Sequence, residues 1–377
     1  MSVRTGVYLH WPYCARICPY CDFNVVKARD IDMHRWQRAL TEDIRYWRDR
    51  LGARTLDSFY FGGGTPSLME PELVRAVLDK TAALFAFNID AEITLEANPT
   101  DAEIDRFADY GRAGVNRLSL GVQSFDDDQL KFLGRNHNGH AAARALNRAL
   151  ESFGLVTFDL IYGLPDESAH DWEERLVKAC AMGAGHLSLY QLTIEQGTAF
   201  GLAVGRGDWS PPDEDMAADL YEITQSVTRV AGLPAYEISN HARPGQEAVH
   251  NSLYWQGADW IGIGPGAHGR LTLGGHRTAI IGEPNVEQYL SMTPAERYAE
   301  ERLDDLAIAT EALAGGLRQV AGIDLRALGD DIRDRIAPVC SRLSDEGFLT
   351  QDSTYLRISP KGRLLTDHIV SQLTTAL

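Results

Sequence analysis

The sequence predicts an α/β protein: a partial, TIM-like (β/α)6 barrel followed by a small C-terminal winged-helix-like α+β domain. Short apolar segments alternate six times with amphipathic helical patterns in the first half, the signature of βα units around a parallel sheet. Six units are too few for a closed eight-stranded barrel, so the sheet is expected to stay open on one side. From about residue 300 the pattern turns helical and ends in a hairpin, which sets off a second unit. With 377 residues, 44% of them hydrophobic, the chain can bury one barrel-sized core and a smaller one. The expected divisions are 1–200 for the barrel, 201–299 for an extension of it and 300–377 for the C-terminal domain.

The strands are expected at residues 7–10, 58–61, 91–96, 117–122, 157–162 and 186–192. Between the first two, Met33, Trp36, Leu40, Ile44, Trp47 and Leu51 recur every three or four residues, a helix with one buried face, and Gly52 follows as a stop. Thr100 and Glu103 form a candidate capping box ahead of inward-facing Ile104 and Phe107. Leu146, Ala149, Leu150 and Phe153 mark a further helix, ended by Gly154. Residues 197–212, rich in glycine and closing on two prolines, are expected as a loop before a helix carrying Met216, Leu220, Ile223, Val227 and Val230. Residues 262–268 are expected as a tight, glycine-rich loop near the site. In the last unit, Leu303, Leu306, Leu313, Leu325, Leu328, Ile332 and Ile336 form helical stripes, and 347–351 with 355–359 flank a turn as a hairpin.

Charge narrows the function classes. With 36 basic and 53 acidic residues the net charge is -17, which disfavours nucleic acid and anionic membrane surfaces as partners. No charged segment followed by an apolar one opens the sequence and no run reaches the length of a membrane span, so a cytoplasmic protein without a transmembrane segment is expected. Five cysteines, three of them clustered, suit a reducing compartment rather than a disulfide framework.

Those three, Cys14, Cys18 and Cys21, are spaced CxxxCxxC in a loop broken by Pro12 and Pro19. The spacing brings three thiolates to one inorganic centre, and a 4Fe-4S cluster held by three protein ligands keeps one iron open to a small molecule. A structural zinc site completed by His10 is the competing reading. Cys180 continues an apolar stripe with Trp172 and Leu176, and Cys340 one with Ile336 and Leu343, so both are expected in the core.

Polar and glycine residues gather at the ends of the expected strands, where barrel chemistry collects. Gly63, Gly64 and Thr65 follow the second strand, where glycines let backbone N–H groups approach a ligand closely, although the run alone is also an ordinary turn. Glu96 ends the third strand, Gln123 the fourth, Arg135 the helix after it, and Asp159 lies along the fifth. A later stretch, His250-Asn251 with Tyr254-Trp255, sets an imidazole among aromatics. Such a group can ligate heme iron, while a His-Asn pair can equally satisfy backbone groups.

The CxxxCxxC loop after a short apolar strand, together with these fragments in this order, resembles the radical S-adenosylmethionine (radical SAM) proteins. Within them it resembles the oxygen-independent coproporphyrinogen III oxidase branch, and most closely its HemW-type heme chaperones, over nearly the whole chain. The resemblance implies a radical SAM barrel with a 4Fe-4S cluster on Cys14, Cys18 and Cys21. It implies S-adenosylmethionine bound by Tyr8, Tyr20, Gly63, Gly64, Thr65, Glu96, Gln123, Arg135 and Asp159. It also implies heme bound by His250, as iron ligand, with Asn251, Tyr254 and Trp255, since HNxxYW is similar to the heme-binding motif of the chaperone branch. His241 and His268 are the next ligand candidates, and Arg243, Arg270 and Arg277 the nearest cations for heme propionates. The implied role is delivery of heme to an acceptor protein, and a homodimer is admitted. The alternative is oxidative decarboxylation of coproporphyrinogen III. Oxidases of this family carry a fourth cysteine two residues after the third and an N-terminal extension, whereas here Phe23 holds that position and thirteen residues precede Cys14.

Overall fold

The computed structural model describes residues 4–377. One eleven-stranded sheet organises it. Its six N-terminal parallel strands, Thr5–Trp11, Thr55–Gly63, Ala86–Ala97, Arg117–Gln123, Leu155–Tyr162 and His186–Gln191, pair each with the next in the expected order. The first is buried at all positions but Tyr8, as a parallel strand covered on both faces should be. Helix Met33–Leu51 turns Trp36, Ala39, Leu40, Ile44 and Trp47 into the core. It starts where the Asp32 carboxylate accepts from Arg35 N at 2.9 Å and stops at Gly52, whose φ of 69° suits glycine. Glu103 does not form the expected reciprocal cap. It is buried and accepts from Asn98 N at 2.7 Å, from the Thr100 hydroxyl at 3.0 Å and from the Ser67 hydroxyl, tying the third strand's end to the second's.

The sheet continues beyond the six units. Asp259–Ile263 comes back to lie parallel to Thr5–Trp11, and His268–Leu273, His276–Gly282 and Tyr298–Arg302 follow it antiparallel. Asn240–Ala242 pairs antiparallel with His186–Gln191 at the other edge. These two outermost strands do not pair with each other, so the barrel is open as expected. The stretch expected as a glycine-rich loop therefore begins inside a seventh parallel strand. Its glycines answer to close backbone approach, because a Cβ on Gly264, at φ 108°, would stand 2.3 Å from the His10 carbonyl oxygen.

A second correction falls in the expected 197–212 loop, which contains helix Ala199–Gly205, capped by the Thr198 hydroxyl accepting from Gly201 N. Phe200 packs with Leu133, Ile161 and Leu164, and its N–H donates to Pro19 O at 2.9 Å, bracing the cysteine loop. The C-terminal region has its own core, with Leu313, Leu317, Ile336, Cys340, Leu343, Leu356 and Ile369 among its members. Helices Asp305–Arg318, Asp330–Asp345 and Thr366–Thr375 surround a three-stranded sheet that contains the expected hairpin, Leu349–Gln351 with Tyr355–Ile358. Cys180 is half-buried against the barrel core. Among the described residues no helix is long and apolar enough to cross a membrane.

Candidate functional site

A cleft of about 380 Å³ opens at the C-terminal ends of the parallel strands, within the range that encloses a cofactor-sized ligand. Cys14, Cys18 and Cys21 all line it. Their loop is anchored at both ends. Cys14 pairs with Lys27 in a short parallel ladder, Val26 N donates to Pro12 O at 2.7 Å, and Ala28 N donates to Cys14 O at 2.8 Å. Burial pushes the Cys14 thiol up to about 11, and the Thr65 hydroxyl bonded to it pulls the other way, so an apposed cation is needed to hold a thiolate here.

Arg135 supplies one such charge. Its Nη1 donates to Cys18 Sγ at 3.3 Å, its Nη2 to Gly121 O at 2.8 Å and to the Asn98 carboxamide oxygen, while its Nε is buried with no partner among the described groups. Asn98 in turn donates to the Thr65 hydroxyl at 3.0 Å, so the glycine turn and the guanidinium are linked through one amide. A 4Fe-4S cluster fits this arrangement: three thiols on one cavity wall with a guanidinium beside them. The zinc alternative does not. His10 gives its ring nitrogens to the Tyr8 hydroxyl at 3.1 Å and to Asn24 O at 2.8 Å, so it is not offered to the three thiols as a fourth ligand.

Of the residues implied for S-adenosylmethionine, Tyr20, Gly63, Gly64, Thr65, Glu96, Gln123, Arg135 and Asp159 line the cleft together. Gln123 does so from an unusual backbone position, φ 66°, beside a break in register with the neighbouring strand that re-aims the residue toward the cleft. Burial pushes the carboxyls of Glu96 and Asp159 up to about 7 each, against hydrogen bonds from Tyr60 to the first and from Ser188 to the second.

The glycine turn works differently from the expectation. Gly63 N donates to Glu96 at 3.2 Å, Gly64 N to Trp11 O at 2.7 Å and Thr65 N to Tyr13 O at 2.8 Å, so these N–H groups serve the protein. A Cβ on Gly64 would meet the Tyr13 and Trp11 carbonyl oxygens at 2.7 and 2.8 Å, so glycine is required for the turn to reach the first strand.

Tyr8 is not a wall of the cleft. It lies beneath, hydrogen-bonded to His10, with its ring stacked on Tyr60 at 6.2 Å. Asn98, Ser119, Gly121, Ile161 and Tyr190 line the cleft and escaped the sequence reading. Period two was the available signal, since Ser119, Gly121 and Gln123 share one face of a strand, as do Asp159 and Ile161.

His250, Asn251, Tyr254 and Trp255 lie on the short helix Val249–Trp255 and not in the cleft. This helix closes the barrel interior from below, clamped at its start by a buried ion pair. Glu92 accepts from Val249 N and His250 N at 3.1 Å each, and Arg117 donates to Glu92 at 2.8 Å and to Gln246 O at 2.9 Å. His250 is 2% exposed. Its Nδ1 meets the Ser58 hydroxyl at 2.7 Å, its Nε2 the Tyr254 hydroxyl, and its ring stacks on Tyr60 at 4.8 Å and 20°. Burial pushes the imidazole down to about 3, so it is neutral, but as packed it offers neither a free nitrogen nor an open face to a heme iron. Trp255 turns the other way, under the Arg318 guanidinium at 5.3 Å.

Of the other heme candidates, the two arginines nearest the C-terminal side are engaged. Arg270 pairs with Glu311 at 2.8 Å and Arg277 with Asp259 at 2.6 Å, whereas Arg243 is exposed. His241 is fully buried beside Gln225, and His268 is exposed at a strand start.

Comparison with known proteins shows the family. Residues 8–178 match the model of the Radical SAM superfamily, and residues 303–365 match that of the HemN C-terminal domain. The heme chaperone HemW of Mycobacterium tuberculosis is 38% identical over 373 residues, covering 98% of this chain and 94% of that protein. That of Escherichia coli is 36% identical, covering 97% of each. The mitochondrial radical S-adenosyl methionine domain-containing protein 1 of Bos taurus is 37% identical, covering 100% of this chain and 88% of its own length. Among solved structures, Escherichia coli coproporphyrinogen III oxidase (HemN), a radical SAM enzyme, superposes with a TM-score of 0.83 over 100% of this chain and 91% of that one, at 22% identity, a likeness of fold.

Proposed function

We propose a function for a chain that belongs to the radical S-adenosylmethionine superfamily and, within it, to the HemN-like proteins of the HemW type: it carries heme to heme-dependent acceptor proteins, with a 4Fe-4S cluster and S-adenosylmethionine at the strand ends. The observation that carries the reading is the end-to-end kinship with proteins named heme chaperones, at 36–38% identity. The cleft supports the cofactor part. When bound, the cluster would supply an electron for reductive cleavage of S-adenosylmethionine at its open iron. The chain's own residues do the rest. Cys14, Cys18 and Cys21 would hold three irons, and Arg135 offsets the negative charge of the thiolates. Glu96, Gln123 and Asp159 present acceptors for the hydroxyls and cationic centre of the ligand. Tyr20 and the Phe200 brace shield the loop from water on one side.

The heme part rests on kinship and not on the packed position of His250, which would have to leave Tyr60 and Tyr254 before serving as a ligand. The cytoplasm is the compartment that fits reduced cysteines, and the acceptor is a protein of unassigned identity. The second reading, coproporphyrinogen III oxidation, is favoured by the likeness of fold to the oxidase. It is opposed by Phe23, 60% exposed on the cleft rim where those oxidases carry a cysteine. One preparation decides between them: anaerobically reconstituted protein is tested for heme retention and for decarboxylation of coproporphyrinogen III. Retention without multiple turnover is expected. Multiple turnovers dependent on cluster and S-adenosylmethionine would replace the chaperone reading with the oxidase one.

A further inference from the structure

We propose that His250 and Tyr60 are positioning residues for the S-adenosylmethionine cleft, and that ligation of heme iron by His250 and binding of S-adenosylmethionine oppose one another. The first half needs only the geometry. Tyr60 Oη donates to Glu96 Oε1 at 2.7 Å, and Glu96 lines the cleft. The other Glu96 oxygen accepts from Gly63 N at 3.2 Å, so the Tyr60 hydroxyl and the glycine turn together fix the carboxylate's plane. Tyr60 is held from the opposite side by the His250 ring, 4.8 Å away and nearly parallel, with Tyr8 stacked on both at 6.2 Å. His250 cannot drift within this stack, because Ser58, Tyr254 and Glu92 hold its two nitrogens and its backbone N–H. Imidazole, phenol and carboxylate thus form a continuous column from the barrel floor to the cleft wall.

The second half rests on the proposed heme function. An imidazole that ligates iron must surrender the Tyr254 bond, the Ser58 bond or both, and must expose its ring. Tyr60 then loses its support, and Glu96 loses a fixed donor. Ligand binding that orders the Glu96 carboxylate conversely stabilises the column and keeps His250 inside. Such coupling is reciprocal: each ligand lowers the affinity for the other by one common factor.

The test uses full-length, anaerobically reconstituted protein and reads S-adenosylmethionine affinity by calorimetry, with the ligand-induced change in the cluster's paramagnetic spectrum as a second readout. Without heme, Tyr60→Phe, which keeps the ring and removes the hydroxyl, should weaken binding by about tenfold at unchanged iron content. His250→Ala should do the same, and His250→Phe, which restores a flat ring against Tyr60, should recover most of the affinity. Wild-type affinity in both Tyr60→Phe and His250→Ala would overturn the positioning role, whatever happens to their melting temperatures. If His250→Ala does not fold, Tyr60→Phe alone decides that half. Heme titrations with and without saturating S-adenosylmethionine decide the other half, with weaker heme binding expected when the cofactor is present. Equal heme affinity in the two titrations overturns the antagonism. A protein that binds no heme overturns both the antagonism and the heme function, while the variants still decide whether the column positions Glu96.

Discussion

The cleft and the barrel floor are both lined by polar and aromatic side chains, yet their bonding differs. At the cleft, two carboxyls sit half-open with acceptor capacity to spare, three thiols face a common space and a buried guanidinium nitrogen lacks a partner. At the floor, His250 has both nitrogens engaged, Glu92 takes an ion pair and two backbone N–H groups, and the rings close over one another. Buried polar groups are normally satisfied, so the bonding capacity gathered at the cleft suits a polar ligand, whereas that of His250 and Glu92 is taken up by the fold. The scaffold therefore commits the imidazole of the HNxxYW stretch to its own bonds, while the Trp255 indole nitrogen of the same helix stays buried without a partner among the described residues.

The sharpest way to break this contrast is to remove the thiols. Each of Cys14→Ser, Cys18→Ser and Cys21→Ser should abolish or severely reduce iron content and cluster absorbance, while Cys180→Ser and Cys340→Ser, outside the cleft, should leave both unchanged. Full iron content in the triple variant would remove the cluster assignment.

The floor is tested next. Arg117→Met strands Glu92 as an unpaired buried charge and should cost about 3–5 kcal/mol in urea-induced unfolding; a loss as small as that of a surface pair would mean the helix is loosely held. Gly64→Val places a side chain against the Tyr13 and Trp11 carbonyls and should cost about 1–3 kcal/mol, with cluster content falling in parallel. Unchanged stability with loss of S-adenosylmethionine binding alone would restore the ligand-facing reading of that turn.

A pH series sharpens the cleft. Burial pushes the Glu96 and Asp159 carboxyls up to about 7, above the ordinary carboxylate range, so the unliganded fold favours their neutral forms. Their contribution to its stability is fully present below the unfolded carboxylate values and is lost as pH rises through about 7. A ligand carrying a sulfonium cation favours the ionised forms, so its affinity should rise with pH through the same window, by at most about tenfold per unit for each proton released. Calorimetry in buffers of different ionisation heat counts those protons, and a flat profile would separate these carboxyls from the ligand's charge. The smallest effect is expected at the seam with the C-terminal domain. Arg318→Ala removes the guanidinium above Trp255 and should cost about 0.5–1 kcal/mol without moving S-adenosylmethionine affinity.

Much of the cleft was legible because its determinants are local. Cysteine spacing, a glycine run and polar residues at strand ends are readable within a few positions, and Gln123, Arg135 and Asp159 meet there once the six units are in order. The resemblance implies Tyr8 at the ligand, yet it lies beneath the cleft, since height along a tilted strand depends on register with neighbours distant in sequence. Asp259–Ile263 was hidden because five residues interrupted by Gly262 carry little periodic signal, and its partner Thr5–Trp11 lies near the start of the chain. The state of His250 was out of reach for the same reason: Ser58, Tyr60 and Glu92 lie more than a hundred and fifty residues before it.

The parallel pairing of Asp259–Ile263 with Thr5–Trp11 bears on how the protein is made. A nascent chain emerges from its N-terminus, so the strand leading into the cysteine loop waits for more than two hundred and fifty residues before its second neighbour exists. Until then one edge of Thr5–Trp11 shows unpaired peptide groups, and such long-range parallel pairing is intrinsically slow. Iron that reached the thiols during synthesis would meet a loop whose supporting strand is half-paired and which Phe200 braces only later. Insertion after Asp259–Ile263 has paired is the order that the topology favours.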